Sequence, residues 1–320
     1  MKETYSRSKS VWQRMNARER KAAMAYGEKY KAFLDTARTE RLAAAEIIRR
    51  AEEKGFKPVY AMKSLKAGDK VYWNQKDKSV ILAVIGKEPV HEGIKIVGSH
   101  IDSPRLDLKA NPVHEQDGIV YFRTHYYGGI KKYQWTCIPL ALIGVVFTKD
   151  GKKVDINIGL KDSDPVFYIS DLLIHMAQDQ MKKTLAEGIT GEQLQAVAGT
   201  HSEEGQTPKD AIMALLKKEY GIEEEDFAAA ELELVPATKS RDVGFDRSLI
   251  ASYGQDDRVC SYANLEAILD AKPGVKTQAA LLTDKEEIGS YGNTGMESSY
   301  FVKFVMKLLA LQGQGSLLDF

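Results

Sequence analysis

The stretch from Ile94 to Asp102, Ile-Lys-Ile-Val-Gly-Ser-His-Ile-Asp, constrains this chain more than any other. A β-branched apolar run passes directly into a turn of small residues that carries an imidazole and a carboxylate. A strand ending in such a turn belongs to an α/β sheet, which collects its chemistry at the carboxyl ends of its strands. Upstream, Lys70–Asn74 and Ser79–Ile85 are short β-rich runs divided by Gln-Lys-Asp-Lys, which predicts a hairpin.

The rest of the chain falls into three textures. Residues 10–55 read as helix: Thr39 caps a segment with Leu42, Ala45, Ile48 and Ala51 at helical spacing, and Gly55 ends it. From about 106 to 237 short strand-like runs dominate, with Gly128-Gly129 among them. A helix there opens at Thr207-Pro208 and closes near Gly221, and the alternation in Ala230–Val235 predicts a strand with one polar face. After 245 the strand-and-helix pattern returns, with a helix over Val259–Leu269 and a strand over Thr277–Leu282. The expectation is one α/β domain in two parts, 1–105 and 241–320, interrupted by a β-rich insertion over 106–240.

Composition narrows the function classes. Lys+Arg and Asp+Glu both number 45, so the formal net charge is zero, and neither nucleic acid nor an anionic membrane is an expected partner. The longest apolar run, Ile138 to Phe147, is far short of the roughly 20 residues of a membrane span. The opening stretch through Arg14 is charged with no apolar run behind it, unlike a secretory signal. Two distant cysteines, Cys137 and Cys260, suit a reducing compartment, so a cytoplasmic location is expected.

Three clusters carry candidate chemistry. In His100-Ile-Asp102 the imidazole is a good ligand for a metal such as zinc, and an extended backbone points both side chains to one side. Asp102 is then placed to orient His100. Taken alone, the pair is equally consistent with a structural or surface histidine. In Gln255-Asp-Asp-Arg258 a carboxylate can bridge two cations, although the same acids suit the N-terminus of the helix that follows. In Asp284-Lys-Glu-Glu-Ile-Gly289 one glutamate can bind metal while its neighbour takes a proton from water, although such charge runs are usually solvated loops. The three together, each after a strand, supply a ligand, a bridging ligand, a base and a further ligand.

Gly98-Ser-His-Ile-Asp-Ser-Pro-Arg-Leu-Asp-Leu-Lys109, Tyr127-Gly-Gly129, Tyr253-Gly-Gln-Asp-Asp-Arg-Val-Cys260 and Asp284–Gly289 resemble the signature stretches of the M18 metallo-aminopeptidases, aspartyl aminopeptidase-like enzymes, and are closest to the bacterial branch. The resemblance implies a doubly wound, mostly parallel-sheet catalytic domain interrupted by an inserted dimerisation domain, with assembly into dodecamers. It implies two Zn²⁺ per site, with Co²⁺ or Mn²⁺ as substitutes, and peptide substrates with a free N-terminus. Carried over by motif, His100, Asp256 and Glu287 would bind metal, Asp256 would bridge, Glu286 would be the general base, and Asp102 would orient His100. His175, in Asp171-Leu-Leu-Ile-His-Met-Ala177, would reach a neighbouring subunit's active site; its spacing beside Leu172 and Met176 also suits a packed residue.

The family pattern continues with an Asp ligand on a later strand and a His ligand further on. No candidate for either follows Glu287, because His91, His114, His125 and His201 all precede Asp256. The chain therefore reads as lacking the family's C-terminal part, which would leave a sheet edge and apolar surface exposed. Two alternatives to the aminopeptidase stand: a non-catalytic assembly subunit or defective fragment, and a dinuclear-metal deacylase of the same broad fold.

Overall fold

The computed structural model describes residues 9–313. The charged stretch through Ser8, part of the opening read above as no secretory signal, and residues 314–320 lie outside the described residues.

Two sheets organise the chain. The first has five strands: β1 (Lys57–Pro58), β2 (Lys70–Gln75), β3 (Ser79–Val84), β4 (Ile94–His100) and β14 (Thr277–Thr283), in the order β1-β2-β3-β14-β4. The predicted hairpin is β2–β3, and its short turn makes the pair antiparallel. Strand β3 is also antiparallel to β14, while β14–β4 and β1–β2 are parallel. The sheet is therefore mixed rather than mostly parallel. A parallel pair needs a long crossover, and for β4 and β14 that crossover is the whole of the second sheet and the helix after it.

Helices cover both faces of this sheet. On one, α2 (Ala17–Thr36), α3 (Glu40–Glu53) and α5 (Gln255–Leu269) bury Phe33, Leu34, Ile47, Tyr262 and Leu265 against Tyr72, Val80, Leu82 and Leu282. On the other, α6 (Tyr300–Leu311) packs Phe304 and Leu308 on Val71, Trp73, Ile81 and Leu281. Every residue of β3 is buried, as expected of a strand between two helical layers.

The helix expected over 10–55 is three helices, the first being α1 (Val11–Arg14). Asn16 breaks the run and caps α2 through a reciprocal pair with Glu19. Thr39 caps α3 as expected, accepting from the Leu42 amide. The buried face of α3 is Ala43, Ala44, Ile47 and Ala51, one position round from the expected stripe, and Ala45 is exposed. Leu42 packs instead against the second sheet.

The second sheet takes its seven strands from residues 105–236: β5 (Arg105–Gln116), β6 (Ile119–Tyr127), β7 (Pro139–Phe147), β8 (Lys153–Ile158), β9 (Phe167–Tyr168), β10 (Gln195–Gly199) and β11 (Ala230–Pro236). Their order is β11-β5-β6-β10-β9-β7-β8, and a further β11–β7 pairing closes the sheet on itself. Leu106, Val120, Phe122, Leu140, Leu142, Leu232 and Leu234 fill its core. The expected helix is α4 (Pro208–Tyr220), capped by Thr207 and ended by left-handed Gly221. The polar face expected on β11 is not a solvent face throughout. Glu233 is buried, 3.3 Å from the Arg105 guanidinium.

A small hairpin, β12 (Arg241–Val243) and β13 (Leu249–Ala251), returns the chain to α5. Strand β4 stands at the edge of the first sheet with Ile96 and Val97 exposed, Val97 at 60 %. Among the described residues no helix is long and apolar enough to cross a membrane.

Candidate metal centre

The site forms where β4 and β14 end side by side, with His100 opposite Thr283 in the parallel register. Both loops therefore leave the sheet at one edge, and α5 supplies the third wall. The α5 side chains fasten it to β4: Ser261 Oγ donates to the His100 carbonyl at 2.7 Å and Asn264 to the Val97 carbonyl at 3.0 Å. Arg258, fully buried, donates to the Ile101 carbonyl at 3.1 Å and the Arg38 carbonyl at 3.2 Å. Gly254 turns the chain into α5 at φ 76°, where a Cβ would lie 1.7 Å from the Arg258 guanidinium. Only glycine fits that corner.

Asp256 and Asp257 sit at the start of α5 but leave helical backbone angles. The two acids form a kink inside the span, so the continuous helix begins only after Asp257. Asp257 accepts the His100 amide at 3.4 Å. After β14, Glu286–Ile288 form one tight turn between two left-handed residues, Lys285 and Gly289.

These elements bring His100, Asp256 and Glu287 together, with one ligand atom from each within 4.8 Å of the others. His100 Nε2 lies 3.2 Å from Asp256 Oδ1, close to the separation of about 3.3 Å between two tetrahedral ligands each about 2 Å from a zinc ion. His100 Nδ1 faces the Asp102 carbonyl at 3.1 Å and Oδ1 at 3.3 Å, which leaves Nε2 turned toward the cluster. One imidazole and two carboxylates suit a borderline divalent cation, so the residues present fit the metal that the sequence motifs imply. Glu286 stands beside them, its Oε2 3.6 Å from His100 Nε2.

Electrostatics agree with that fit. Burial weakens the Glu287 carboxylic acid most, raising its pKa; Asp102, Asp256 and Glu286 raise it further, against the pull of His100. Burial alone would lower the His100 value, but Asp102, Glu286 and Asp257 carry it up to about 9. A bound cation meets both demands, neutralising crowded carboxylates and replacing the imidazolium proton. Asp102 moves the other way: burial works against its ionisation, but bonds from His100 and Tyr127 hold it below the usual carboxylate range.

Five of the six residues expected from the sequence converge here: His100, Asp102, Asp256, Glu286 and Glu287. His175 does not. It lies on an exposed turn among exposed Leu172, Leu173, Ile174 and Met176, not packed in the core, and is not among the three residues whose ligand atoms converge. Sequence reasoning gave no role to Tyr127 or Arg105, although both stand within the motifs quoted. The Tyr127 hydroxyl donates to Asp102 Oδ2 at 2.7 Å, and the Arg105 guanidinium lies 3.7 Å from the centre of its ring. The usable signal was the strand pairing, which sets Arg105 directly opposite Tyr127.

The fold and the cluster together define an α/β protein with a candidate metal site. Residues 33–319 match the family model described as Aminopeptidase I zinc metalloprotease (M18). A probable M18 family aminopeptidase 1 from Clostridium acetobutylicum is 46 % identical over 313 residues, 95 % of this chain and 67 % of that protein. The crystal structure of an M18 aminopeptidase from Thermotoga maritima superposes with a TM-score of 0.91 at 41 % identity, covering 96 % of this chain and 68 % of that one. The S. cerevisiae mApe1 dodecamer shares the fold at a TM-score of 0.69 and 18 % identity, covering 89 % and 66 %. The chain belongs to the M18 family of zinc aminopeptidases. It spans about two thirds of the length of these relatives.

Proposed function

We propose that this protein is a metallo-aminopeptidase that removes the N-terminal residue from peptides, with His100, Asp256 and Glu287 as metal ligands and Glu286 as general base. The observation that carries the reading is the convergence of one imidazole and two carboxylates within 4.8 Å of one another, with Glu286 at their side. Two divalent cations, zinc in the first instance, would be held there, with Asp256 as the bridging ligand. When bound, they supply Lewis-acid polarisation of the scissile carbonyl and a more acidic water.

The chain's own residues do the rest. Glu286, more than half exposed, is free to take a proton from the attacking water and pass it to the leaving amine as the C–N bond breaks. Asp102 fixes His100 with Nδ1 engaged, so that Nε2 is presented to the metal. Segments 1–105 and 241–320 would form the catalytic domain and 106–240 the inserted dimerisation domain. The second sheet, built from residues 105–236, supports that division. His175, on its exposed apolar turn, would act in a second subunit's site, in the manner of an assembly like the yeast dodecamer. Two free cysteines support a cytoplasmic location.

The test is a panel of chromogenic aminoacyl substrates, free and N-acetylated, assayed on the purified chain with Zn²⁺, Co²⁺ or Mn²⁺ and with chelator. Release confined to free N-termini and dependent on metal is expected. Release from acetylated substrates would favour the deacylase. Glu286→Ala should retain zinc and lose turnover by about 10²- to 10⁴-fold; undiminished turnover in that variant removes Glu286 from the role of base.

A further inference from the structure

We propose that Tyr127 is a positioning residue of the metal centre, through which the second sheet holds the ligand-bearing loops of the first in register. The proposal rests on the reading of the cluster as a metal site. The centre of the argument is the Asp102 carboxylate, which is fully buried. It faces His100 Nδ1 at 3.3 Å, accepts the Glu286 amide at 3.3 Å on Oδ1, and accepts the Glu287 amide at 3.2 Å on Oδ2. One carboxylate therefore sets the imidazole of one ligand and the backbone of the turn that carries another ligand and the base.

Tyr127 donates to the same carboxylate from the end of β6, at 2.7 Å. It is the second sheet's bond to that group, and it is the shortest of the four contacts. Its ring is held from behind. Arg105, opposite it in the β5–β6 register, stacks 3.7 Å from the ring centre. Arg105 is itself fixed by Asp107 at 2.8 Å, Glu233 at 3.3 Å and Glu40 at 3.4 Å. The next residue, Gly128, takes φ 74°, and a Cβ there would lie 3.1 Å from Glu287 Cβ. The second sheet thus meets both loops, through the Tyr127 hydroxyl at Asp102 after β4 and through the bare backbone of Gly128 beside Glu287 after β14, and Lys285 Nζ lies 5.6 Å from the Tyr127 ring centre. Without the hydroxyl, Asp102 loses one of its fixed donors, and the two amides lose the rigidity of their acceptor.

Tyr127→Phe keeps the ring and the Arg105 stack and removes only the hydroxyl. Three readouts apply to the full chain. In the metal-free protein, hydrogen exchange in the peptide 284–289 should quicken several-fold, while the melting temperature stays within about 5 °C. Zinc affinity, measured by chelator competition, should fall about 10- to 100-fold. In a double-mutant cycle with Asp102→Asn, the two affinity losses should be strongly non-additive.

Unchanged exchange at 284–289, or additive losses, overturns the proposal. A wild-type chain that takes up no zinc would count against the metal reading alone, because the exchange measurement needs no metal. If Tyr127→Phe melts more than about 5 °C lower, Arg105→Lys is read instead. It keeps a cation beside Glu40 and Glu233 but withdraws the guanidinium plane from the ring. Faster exchange at 284–289 supports the proposal, and unchanged exchange overturns it.

Discussion

Asp102 and Asp284 make an instructive pair. They follow neighbouring parallel strands, β4 and β14, and both are buried, at 0 % and 1 % exposure. Asp102 receives donors on both oxygens and faces an imidazole, and its pKa lies below the ordinary value. Asp284 has the Thr294 hydroxyl on Oδ2 at 2.6 Å, but its buried Oδ1 has no hydrogen-bond partner among the described residues. Burial first, and then the charges of Glu40 and Asp102, push Asp284 up to about 6, against Thr294 and Lys78. Depth in the protein is nearly the same. Donors and neighbouring charge together decide which carboxylate is held ionised and which is penalised for it.

The comparison breaks most readily at Asp102. Asp102→Asn places an amide where several donors converge, so zinc affinity should fall about 10- to 100-fold. The fold should lose about 2 kcal/mol. Chelator competition and urea unfolding measure the two, and a variant with wild-type values in both would show that the carboxylate's donors are incidental. Asp284→Asn is expected to act with the opposite sign. Because the folded-state pKa lies above 3.8, the unfolded chain releases this proton first, and stability falls as pH rises through about 6. Removing the charge should therefore stabilise by on the order of 1–2 kcal/mol at pH 8, with the gain fading toward pH 4. A gain that is flat with pH would mean that the effect is packing rather than ionisation.

Smaller effects sharpen the picture. Gly128→Ala forces a side chain into a left-handed position against Glu287, and about 1–2 kcal/mol should be lost in thermal or urea unfolding. His175→Ala is expected to leave stability within about 0.5 kcal/mol and zinc affinity unchanged, because it lies on an exposed turn and is not one of the three converging residues. A drop in zinc affinity there would show that His175 reaches a metal site after all. A loss of turnover without a loss of metal is the outcome expected of a residue acting across a subunit boundary.

Much of this was legible in the residues themselves. The β2–β3 hairpin, the Thr39 and Thr207 caps, strand β14 and the helix before it follow from local periodicity and capping chemistry. Five candidate site residues stood out because each lies at or just beyond a strand end or at a helix start, and local pattern marks such places well. What escaped was non-local. The face of α3 that turns inward is chosen by the sheet it packs on, so the stripe through Leu42 and Ala45 lost to the one through Ala43 and Ile47. Glu233 looked like a solvent-facing residue of an alternating strand; burial pushes its pKa up, Glu40 and Asp107 push it further, and the approach of Arg105 works against them. Tyr127 and Arg105 acquire their roles from a cross-strand pairing that no short window contains.

The separation of the ligands along the chain has a consequence for synthesis. His100 and Asp256 are 156 residues apart, with the whole second sheet between them. At roughly 5–20 residues per second, a ribosome makes that interval in about 8–30 s. During that time the nascent chain carries His100 without the carboxylates of α5 or of the turn after β14. The proposed ligand set is complete only once Glu287 is made, after the second sheet has had time to fold, and that sheet carries Tyr127, which bonds Asp102. The order of synthesis thus places the second sheet, with Tyr127 and Arg105, ahead of the last of the proposed ligands.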